Sequence, residues 1–239
     1  MNKLAKLIKG EIKRLVRYKI LPVSLATTAL WIGLFLFVSA AEARQIAPLV
    51  IFVDVAAMSV LLLGASHHLE KQDGTIRTMM VMPVPLGQIL TAKTVASMVL
   101  ALESTVVTAV ALYVIHGITL DYAALLLFVV VAGAAHAAIG FALSLNSKDF
   151  NSMLGLLMVY MFVFTIPSIL FSFGIVDAKY EWLFMISPSH SAHHLIASAV
   201  REDYQLGMVF GGCLYLAVLA ALLFKFAVYP KFKSNAARG

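Results

Sequence analysis

Long apolar stretches alternate with short polar segments along the whole chain. A helix that crosses a bilayer needs about 20 mostly apolar residues, and six stretches have this length. They lie at 20–40, 47–66, 92–115, 123–145, 152–173 and 205–228. Because lipid cannot satisfy unpaired backbone groups, each stretch is predicted to be a continuous helix. We therefore predict an all-α membrane protein whose residues 1–239 form a single transmembrane domain.

The segment before the first span has a different pattern. Apolar residues recur there at helical spacing, while lysines and arginines occupy the other faces. The apolar positions are Leu4, Leu7, Ile8, Ile12, Leu15 and Val16. This pattern predicts that residues 1–19 form an amphipathic helix in the membrane interface. A basic anchor that only sets topology is the alternative, and a cleavable signal peptide is not expected.

Charged residues are scarce and unevenly distributed. They make up 13% of the chain, against roughly 25% in a soluble domain. With the amino terminus in the cytoplasm, only Arg44, Lys179 and Arg201 of the 18 Lys and Arg fall outside. Since cytoplasmic loops carry the basic excess, we expect both termini in the cytoplasm of a bacterial or archaeal cell, with the spans in its plasma membrane. The net charge of +6 is attributed to topology and anionic lipid, not to nucleic acid.

The longer cytoplasmic connection, about 67–91, contains a short run of residues bracketed by a glycine and a proline. Gly74 is followed by a short run with Ile76 and three methionines, and then by Pro83. Glycine can interrupt a helix and proline can end one, so a short helix is predicted between them. Methionine adapts to irregular grooves, which favours a docking surface on this helix. An ordinary connecting loop is the alternative.

Five residues of this connection resemble the signature of ABC-2-type exporter permeases. They form an acidic–basic pair, a Gly-Thr step and a proline: Glu70, Lys71, Gly74, Thr75 and Pro83. In that family the segment, here 68–83, is the coupling helix that seats in a cleft of the ATP-hydrolysing subunit. We expect Glu70 and Lys71 to be solvent-accessible at the end of the second span, where folding requires neither charge. Arg77 stands where many members have an acid.

The resemblance extends along most of the chain. An interfacial helix before the first span and an external helical hairpin before the sixth are family features. Ser187-Pro188 followed by Arg201 resembles the family's Asn-Pro…Arg stretch, with Ser187 in place of Asn. The external loop is expected at 174–204, with a short re-entrant helix that Pro188 can open.

The resemblance implies the permease subunit of an ATP-binding cassette exporter rather than an enzyme. Its partners would be separate ABC ATPase subunits and a second permease chain, identical or related. The substrate would be amphipathic: a drug, a peptide or a lipid-linked molecule. The chain has no Gly-rich phosphate loop with Lys-Ser/Thr. ATP and magnesium are therefore expected in the partner ATPase, and no cofactor is expected in this chain.

Histidines suggest a competing class. His190, His193 and His194 match the HxxHH box of di-iron membrane desaturases and hydroxylases. Those enzymes use about eight histidines, whereas this chain has seven, and the predicted topology places His67 and His68 on the opposite side. We interpret the three outer histidines as solvated at the water interface; a local histidine site in the external hairpin is the alternative. A third class, a membrane sensor or immunity protein without transport, stays open.

Three ionisable residues fall inside predicted spans. They are Asp54, Glu103 and His136. Such residues cost roughly 2.5–3.5 kcal/mol at the bilayer centre, so they are candidates for the substrate pathway. The alternative is that they hydrogen-bond neighbouring helices; Ser104, Thr105 and Thr108 could do this for Glu103. Small residues also line the fourth span, where they allow close approach within the chain or between two chains. They are Gly133, Ala134, Ala137, Ala138 and Gly140.

Overall fold

The computed structural model describes residues 3–238, without the side chains of Leu62, Arg77, Met80, Val81 and 235–238. The described part is 86% helix and contains no strand. We number its helices α1 (Lys3–Arg17), α2 (Ile20–Phe35), α3 (Ala40–Gln72), α4 (Thr75–Val81), α5 (Leu86–His116), α6 (Tyr122–Asn146), α7 (Phe150–Ser172), α8 (Glu181–Phe184), α9 (Pro188–Arg201) and α10 (206–238). A single 3₁₀ turn, Ala178–Tyr180, precedes α8. The all-helical prediction is confirmed for this part of the chain.

Five helices are long and apolar enough to cross a membrane, and the number becomes six if α1 and α2 count as one broken span. The two helices of that pair meet at 66°. The second span is longer than its apolar stretch, because α3 runs from Ala40 to Gln72 rather than over 47–66. The helix therefore carries His67, His68 and Glu70 on its last turns. The third span likewise begins at Leu86 rather than at 92.

Side-chain caps mark where the spans begin. Ser39 caps α3 in a reciprocal capping box with Glu42, and Asp149 does the same at the start of α7. Asp121 caps α6 through the Ala124 N–H at 3.0 Å. These carboxylates and hydroxyls satisfy N–H groups that a helix terminus otherwise leaves unpaired.

Three spans contain a π-helical turn: Met58–Leu62 in α3, Met161–Thr165 in α7 and Leu223–Val228 in α10. The first of these turns packs against Gly140 of α6. A Cβ at Gly140 would lie 2.8 Å from the Val60 Cα, so only glycine fits this contact. At Gly140 the close approach is therefore made within the chain.

The core is built around α6, which packs against α3, α5, α9 and α10. Its inward residues include Val129, Ala132, Ala138 and Phe141, all fully buried. The outer faces of α7 and α10 are different, because large apolar side chains such as Phe162 and Phe210 are exposed there. Apolar surface of this kind is compatible with lipid or with another transmembrane chain.

Candidate functional site

The two ends of the bundle carry different polar groups. At one end, the His68 Nε2 lies 2.9 Å from the Ser147 Oγ, just beyond the last residue of α6. At the other end, the Asp121 N–H, just before α6, donates to the Ala199 carbonyl of α9. We call the first the coupling end and the second the hairpin end. The 25 residues of α6 separate the two ends by about 37 Å.

A tight turn at the coupling end joins α3 to the short helix α4. The turn needs Gly74, whose φ of +68° is strained for residues with a Cβ. The helix begins at Thr75 and ends at Val81, and Pro83 lies exposed after it. A short helix between Gly74 and Pro83 was predicted, and the structure confirms it.

One side of α4 faces the bundle. Met79 is buried, and Ile76 packs against a cluster formed by Leu63, Phe232 and neighbouring apolar residues. We expected the methionines of this short helix to form an exposed docking surface, and this expectation is wrong for Met79. Thr78 is exposed, as is Lys71, whose Nζ donates to the Lys148 carbonyl at 3.2 Å. The Arg77 side chain lies outside the described residues.

Four charged side chains from three helices meet beside this turn. We call Glu11, Arg14, Glu70 and Lys93 the ion cluster. The Arg14 Nη1 lies 2.8 Å from the Glu70 Oε1 and 3.2 Å from the Glu11 Oε1. The Lys93 Nζ lies 3.3 Å from the Glu11 Oε2 and also donates to Glu70. Two acids thus face two bases, and the cluster joins α1, α3 and α5.

Most side chains of the ion cluster are buried, so each charge depends on its partners. Glu70 is 0% exposed and Lys93 is 3% exposed, and removal of water raises the pKa of Glu11. The prediction that Glu70 is solvent-accessible is wrong. Removing one partner of a buried pair leaves an uncompensated charge, which costs about 3–5 kcal/mol. Among the five signature residues, Glu70 therefore differs from the exposed Lys71, although the two are adjacent.

An open groove of about 420 Å³ lies next to the ion cluster, between α1 and the turn. Arg14, Arg17 and Thr75 line it together with Tyr18 and Asp73. The Tyr18 hydroxyl donates to the Asp73 carboxylate at 2.7 Å. Partial burial and this hydrogen bond raise the pKa of Tyr18. A basic, solvent-open surface thus borders the short helix.

The carboxyl groups of Asp54 and Glu103 both face α2. The Thr28 hydroxyl donates to the Asp54 Oδ2 at 2.9 Å, and the Ser24 hydroxyl donates to the Glu103 Oε2 at 3.1 Å. Ser24 and Thr28 are one turn apart, so α2 brings the two acids to one side of the bundle. Asp54 is buried, whereas Glu103 is half-buried and lies closer to the surface.

Two of the three local partners suggested for Glu103 are engaged elsewhere. The Ser104 and Thr105 hydroxyls both donate to the Ala101 carbonyl of their own helix, at 3.1 and 2.7 Å. The Ser24 hydroxyl of α2 makes the contact to Glu103 instead. This interhelical hydrogen bond could not be read from residues neighbouring Glu103 in the sequence.

His136 is enclosed in the protein. Its Nδ1 lies 2.9 Å from the Ala132 carbonyl, and its Nε2 lies 3.3 Å from the Tyr160 hydroxyl. The Tyr160 hydroxyl is also hydrogen-bonded to the Ser189 hydroxyl, which in turn contacts the Thr165 hydroxyl at 2.9 Å. The imidazole therefore joins α6 to α7 and α9, which is the arrangement expected of a structural histidine.

Helix α9 forms the hairpin end. Ser187 caps it by accepting the His190 N–H at 3.3 Å, and Pro188 follows as the first helical residue. Serine and asparagine both serve as N-caps, which accounts for Ser187 at the position where the family has Asn. Every residue from Pro188 to Val200 is buried, while Arg201 is exposed.

The outer histidines are buried rather than solvated, so that interpretation is wrong. The His190 Nδ1 lies 3.1 Å from the Ser168 Oγ, and the His193 Nδ1 lies 3.3 Å from the Ser172 Oγ. The His194 Nδ1 lies 2.9 Å from the Glu181 carboxylate. Within the described residues, no three His, Cys, Asp or Glu side chains are placed to hold a metal ion. His67 and His68 lie at the coupling end, the length of α6 away.

Comparison with known sequences decides the class of protein. A protein-family model described as "ABC-2 family transporter protein" matches residues 21–229. The chain belongs to this ABC-2 transporter family. It is a membrane permease of an ABC transporter, and such permeases are transport subunits, not enzymes, that generally work with an ABC ATPase. No curated protein matches the chain.

Three members of the ion cluster of this ABC-2 permease were missed as site residues. Arg14 and Lys93 were counted only among the cytoplasmic basic residues, and Glu11 was assigned no role. The available signal was Glu11, the only acid in α1, which stands among lysines and arginines. An acid in such a segment needs a partner; Arg14 is close in the sequence, but the buried partner Lys93 is 82 residues away.

Proposed function

We propose that this chain is the permease subunit of an ATP-driven exporter, and that 68–83 is its contact with the ATPase. The observation that carries this proposal is the placement of α4. It follows a left-handed turn at Gly74 and presents Thr78 to solvent while Ile76 and Met79 face the bundle. A short helix held in this way can transmit a push from outside to the spans.

The ion cluster supplies the route for that motion. The carboxylate of Glu70 lies on the last turns of α3, a few residues before Gly74, and binds both Arg14 of α1 and Lys93 of α5. A displacement of α4 would therefore move α1 and α5 with the end of α3. In this mechanism Lys71, Gly74, Thr75 and Pro83 form or shape the contact surface, and Glu70 holds that surface to the bundle.

We place the substrate path between two permease chains, identical or related, at their first, second and fifth spans. The exposed apolar face of α7, which includes Phe162 and Val163, supports this assignment. The substrate would be amphipathic: a drug, a peptide or a lipid-linked molecule. ATP and magnesium would be bound by the two ATPase subunits.

A pair of arginine substitutions tests the coupling contact. Thr78→Arg places a bulky cation on the exposed side of α4, and Asn151→Arg places the same group on an exposed site at the start of α7. We expect Thr78→Arg to reduce co-purification of the ATPase at least tenfold and to abolish substrate-stimulated ATP hydrolysis in liposomes. Asn151→Arg should keep both activities. Equal coupling in the two variants would mean that α4 is only a linker.

Glu103 is the best substrate contact among the three buried candidates, because it is half-buried whereas Asp54 and His136 are enclosed. Glu103→Gln keeps the shape and the hydrogen bond from Ser24 but removes the charge. If the acid contacts a cationic or polar substrate, transport should fall while expression and assembly stay normal. Normal transport would assign Glu103 to helix packing.

Orientation requires its own test. We place both termini in the cytoplasm and the hairpin end outside, with α9 as a re-entrant helix in the outer leaflet. Ser189 is fully buried and unsuitable for labelling, whereas Lys179 is exposed. In a Cys213→Ser background, Lys179→Cys should react with a membrane-impermeant thiol reagent added to intact cells. Reaction only after the cells are opened would reverse the assigned orientation.

A further inference from the structure

A cavity of about 430 Å³ lies at the hairpin end. The end of α7 and the segment 174–178 form one wall, and α9 forms the other. Phe171, Glu181, His190, His194 and Arg201 are among its lining residues. Pockets of roughly 300–1,000 Å³ are typical of small-molecule sites. We call this cavity the histidine pocket.

Two ring nitrogens in the histidine pocket lack partners. The Nε2 atoms of His190 and His194 make no hydrogen bond to any described residue, although the residues are only 1% and 9% exposed. Buried polar atoms are nearly always hydrogen-bonded, so each such atom calls for an explanation. A bound molecule that supplies hydrogen-bond donors would explain the unpaired nitrogens.

The neighbouring groups indicate what these nitrogens accept. The Glu181 carboxylate accepts from the His194 Nδ1 at 2.9 Å, so the Nε2 of that ring points away from the carboxylate. The His190 Nε2 lies 3.9 Å from the same Glu181 oxygen, too far for a hydrogen bond. When the His190 Nδ1 donates to Ser168, its Nε2 is also an acceptor. The Glu181 carboxylate and the His190 Nε2 are thus the two neighbouring acceptors in the lining of the pocket.

The charge of the pocket favours a cation. Burial lowers the pKa of His190 to about 4 and that of His193 to about 3, so both rings are uncharged near neutral pH. Among the charged lining residues, Asp177 pairs with Lys179 at 3.1 Å, which leaves Glu181 and Asp203 against Arg201, two acids and one base. The Phe171 ring adds a surface that attracts cations. A protonated primary amine has three N–H donors and can donate to both the Glu181 carboxylate and the His190 Nε2.

We propose that the histidine pocket binds the protonated primary amine of a small amphiphile or of a lipid headgroup. Glu181 supplies the negative charge, the Nε2 of His190 accepts a second donor, and His194 holds the Glu181 carboxylate in place. A metal ion is not the better occupant, since the described side chains do not converge on one point. Binding here requires neither the ATPase nor export.

Nuclear magnetic resonance of the intact chain can test this site. The protein carries ring-labelled histidine in phosphatidylcholine nanodiscs at pH 7.5, and hexylamine hydrochloride is the probe. We expect saturable shifts of the His190 and His194 signals, with no saturable shift for the neutral analogue hexan-1-ol. Equal responses to the two probes would overturn the proposal, because an apolar cavity would then suffice.

Matched variants locate the charge. Glu181→Gln keeps an acceptor for His194 and should weaken hexylammonium binding at least tenfold, whereas Asp177→Asn, at an exposed acid that pairs with Lys179, should change it less than threefold. Unchanged affinity in Glu181→Gln would contradict the proposal. An unaltered His136 signal reports correct folding of the variant. If Glu181→Gln fails that criterion, His190→Leu carries the test and must also lose binding.

Two further arms identify the occupant. If nanodiscs that contain phosphatidylethanolamine reproduce the shifts without hexylamine, the occupant is a lipid amine. If these nanodiscs leave the His190 and His194 signals unshifted, the occupant is a soluble amine. Zinc chloride that shifts these signals at equimolar concentration, with no effect of hexylammonium, would show a metal site and refute amine binding.

Discussion

The coupling end and the hairpin end of the bundle solve the same problem in opposite ways. Both bury ionisable side chains between helices. At the coupling end, the two acids Glu11 and Glu70 lie against the two bases Arg14 and Lys93 in a network of ion pairs. At the hairpin end, His190 and His193 lose their charge, because burial lowers their pKa to about 4 and about 3.

This difference suits the proposed roles of the two ends. Charges that bind one another across three helices form a rigid connection, which is useful where motion must be passed on. Neutral imidazoles with free lone pairs leave hydrogen-bonding capacity for an added molecule. Removing one partner of a buried ion pair is costly, whereas a neutral histidine becomes charged when the pH falls.

The largest effect is expected at the coupling end. Glu70→Gln leaves Arg14 and Lys93 without their shared carboxylate, and we expect a loss of about 3–5 kcal/mol of stability. The measurement is thermal unfolding of the purified protein in detergent. Lys71→Gln, at the adjacent exposed position, should change stability by less than about 0.5 kcal/mol. Equal melting temperatures would show that the ion cluster does not stabilise the fold.

A double variant sharpens this result. Replacing a buried pair by apolar residues is often neutral or stabilising. Glu70→Leu combined with Lys93→Leu should therefore recover most of the stability lost in Glu70→Gln, since the Glu11–Arg14 pair is left intact. A double variant less stable than the single one would mean that the charges are needed beyond their pairing.

At the hairpin end we expect a dependence on pH. Histidine in the unfolded chain titrates near pH 6.5, above the lowered values of His190 and His193. Between pH 6.5 and 4 the unfolded state binds more protons, so acidification destabilises the fold by up to about 1.4 kcal/mol per pH unit and histidine. Melting temperatures recorded across this range should fall less steeply for His193→Gln. An identical slope would contradict the assigned neutral state of His193.

The smallest effect concerns the turn before α4. Gly74→Ala forces a Cβ onto a left-handed residue, although no atom lies within 4 Å to obstruct it. Backbone strain alone should cost about 1–2 kcal/mol. Gly87→Ala, also in open space but within α5, should be neutral or stabilising, because alanine favours helices. The pair separates strain from loss of space by thermal unfolding, and equal effects would show that φ at Gly74 is unimportant.

Local signals carried much of the prediction. Five of the six apolar stretches correspond to helices long enough to span a membrane, and the first does so only together with α1. Gly74 and Pro83 bracketed the short helix, and Pro188 marked the start of α9. Each rests on a property of a few adjacent residues: apolar length, a positive φ, or the lack of an N–H. The errors concerned polar side chains. Glu70 was assigned to solvent, and so were His190, His193 and His194, because a polar residue near a span end is usually hydrated.

What the sequence determined by itself was the class of the protein: an all-helical membrane chain with a Gly-Thr signature in its first long connection. Only the tertiary structure decided which polar groups share a site. Glu70 lies 23 residues before Lys93 and 56 after Arg14, and their contact exists only because α1, α3 and α5 pack together. Burial alters the free energy of every charge, and it depends on these distant partners. The ion cluster and the histidine pocket are therefore properties of the packed bundle and not of any one segment.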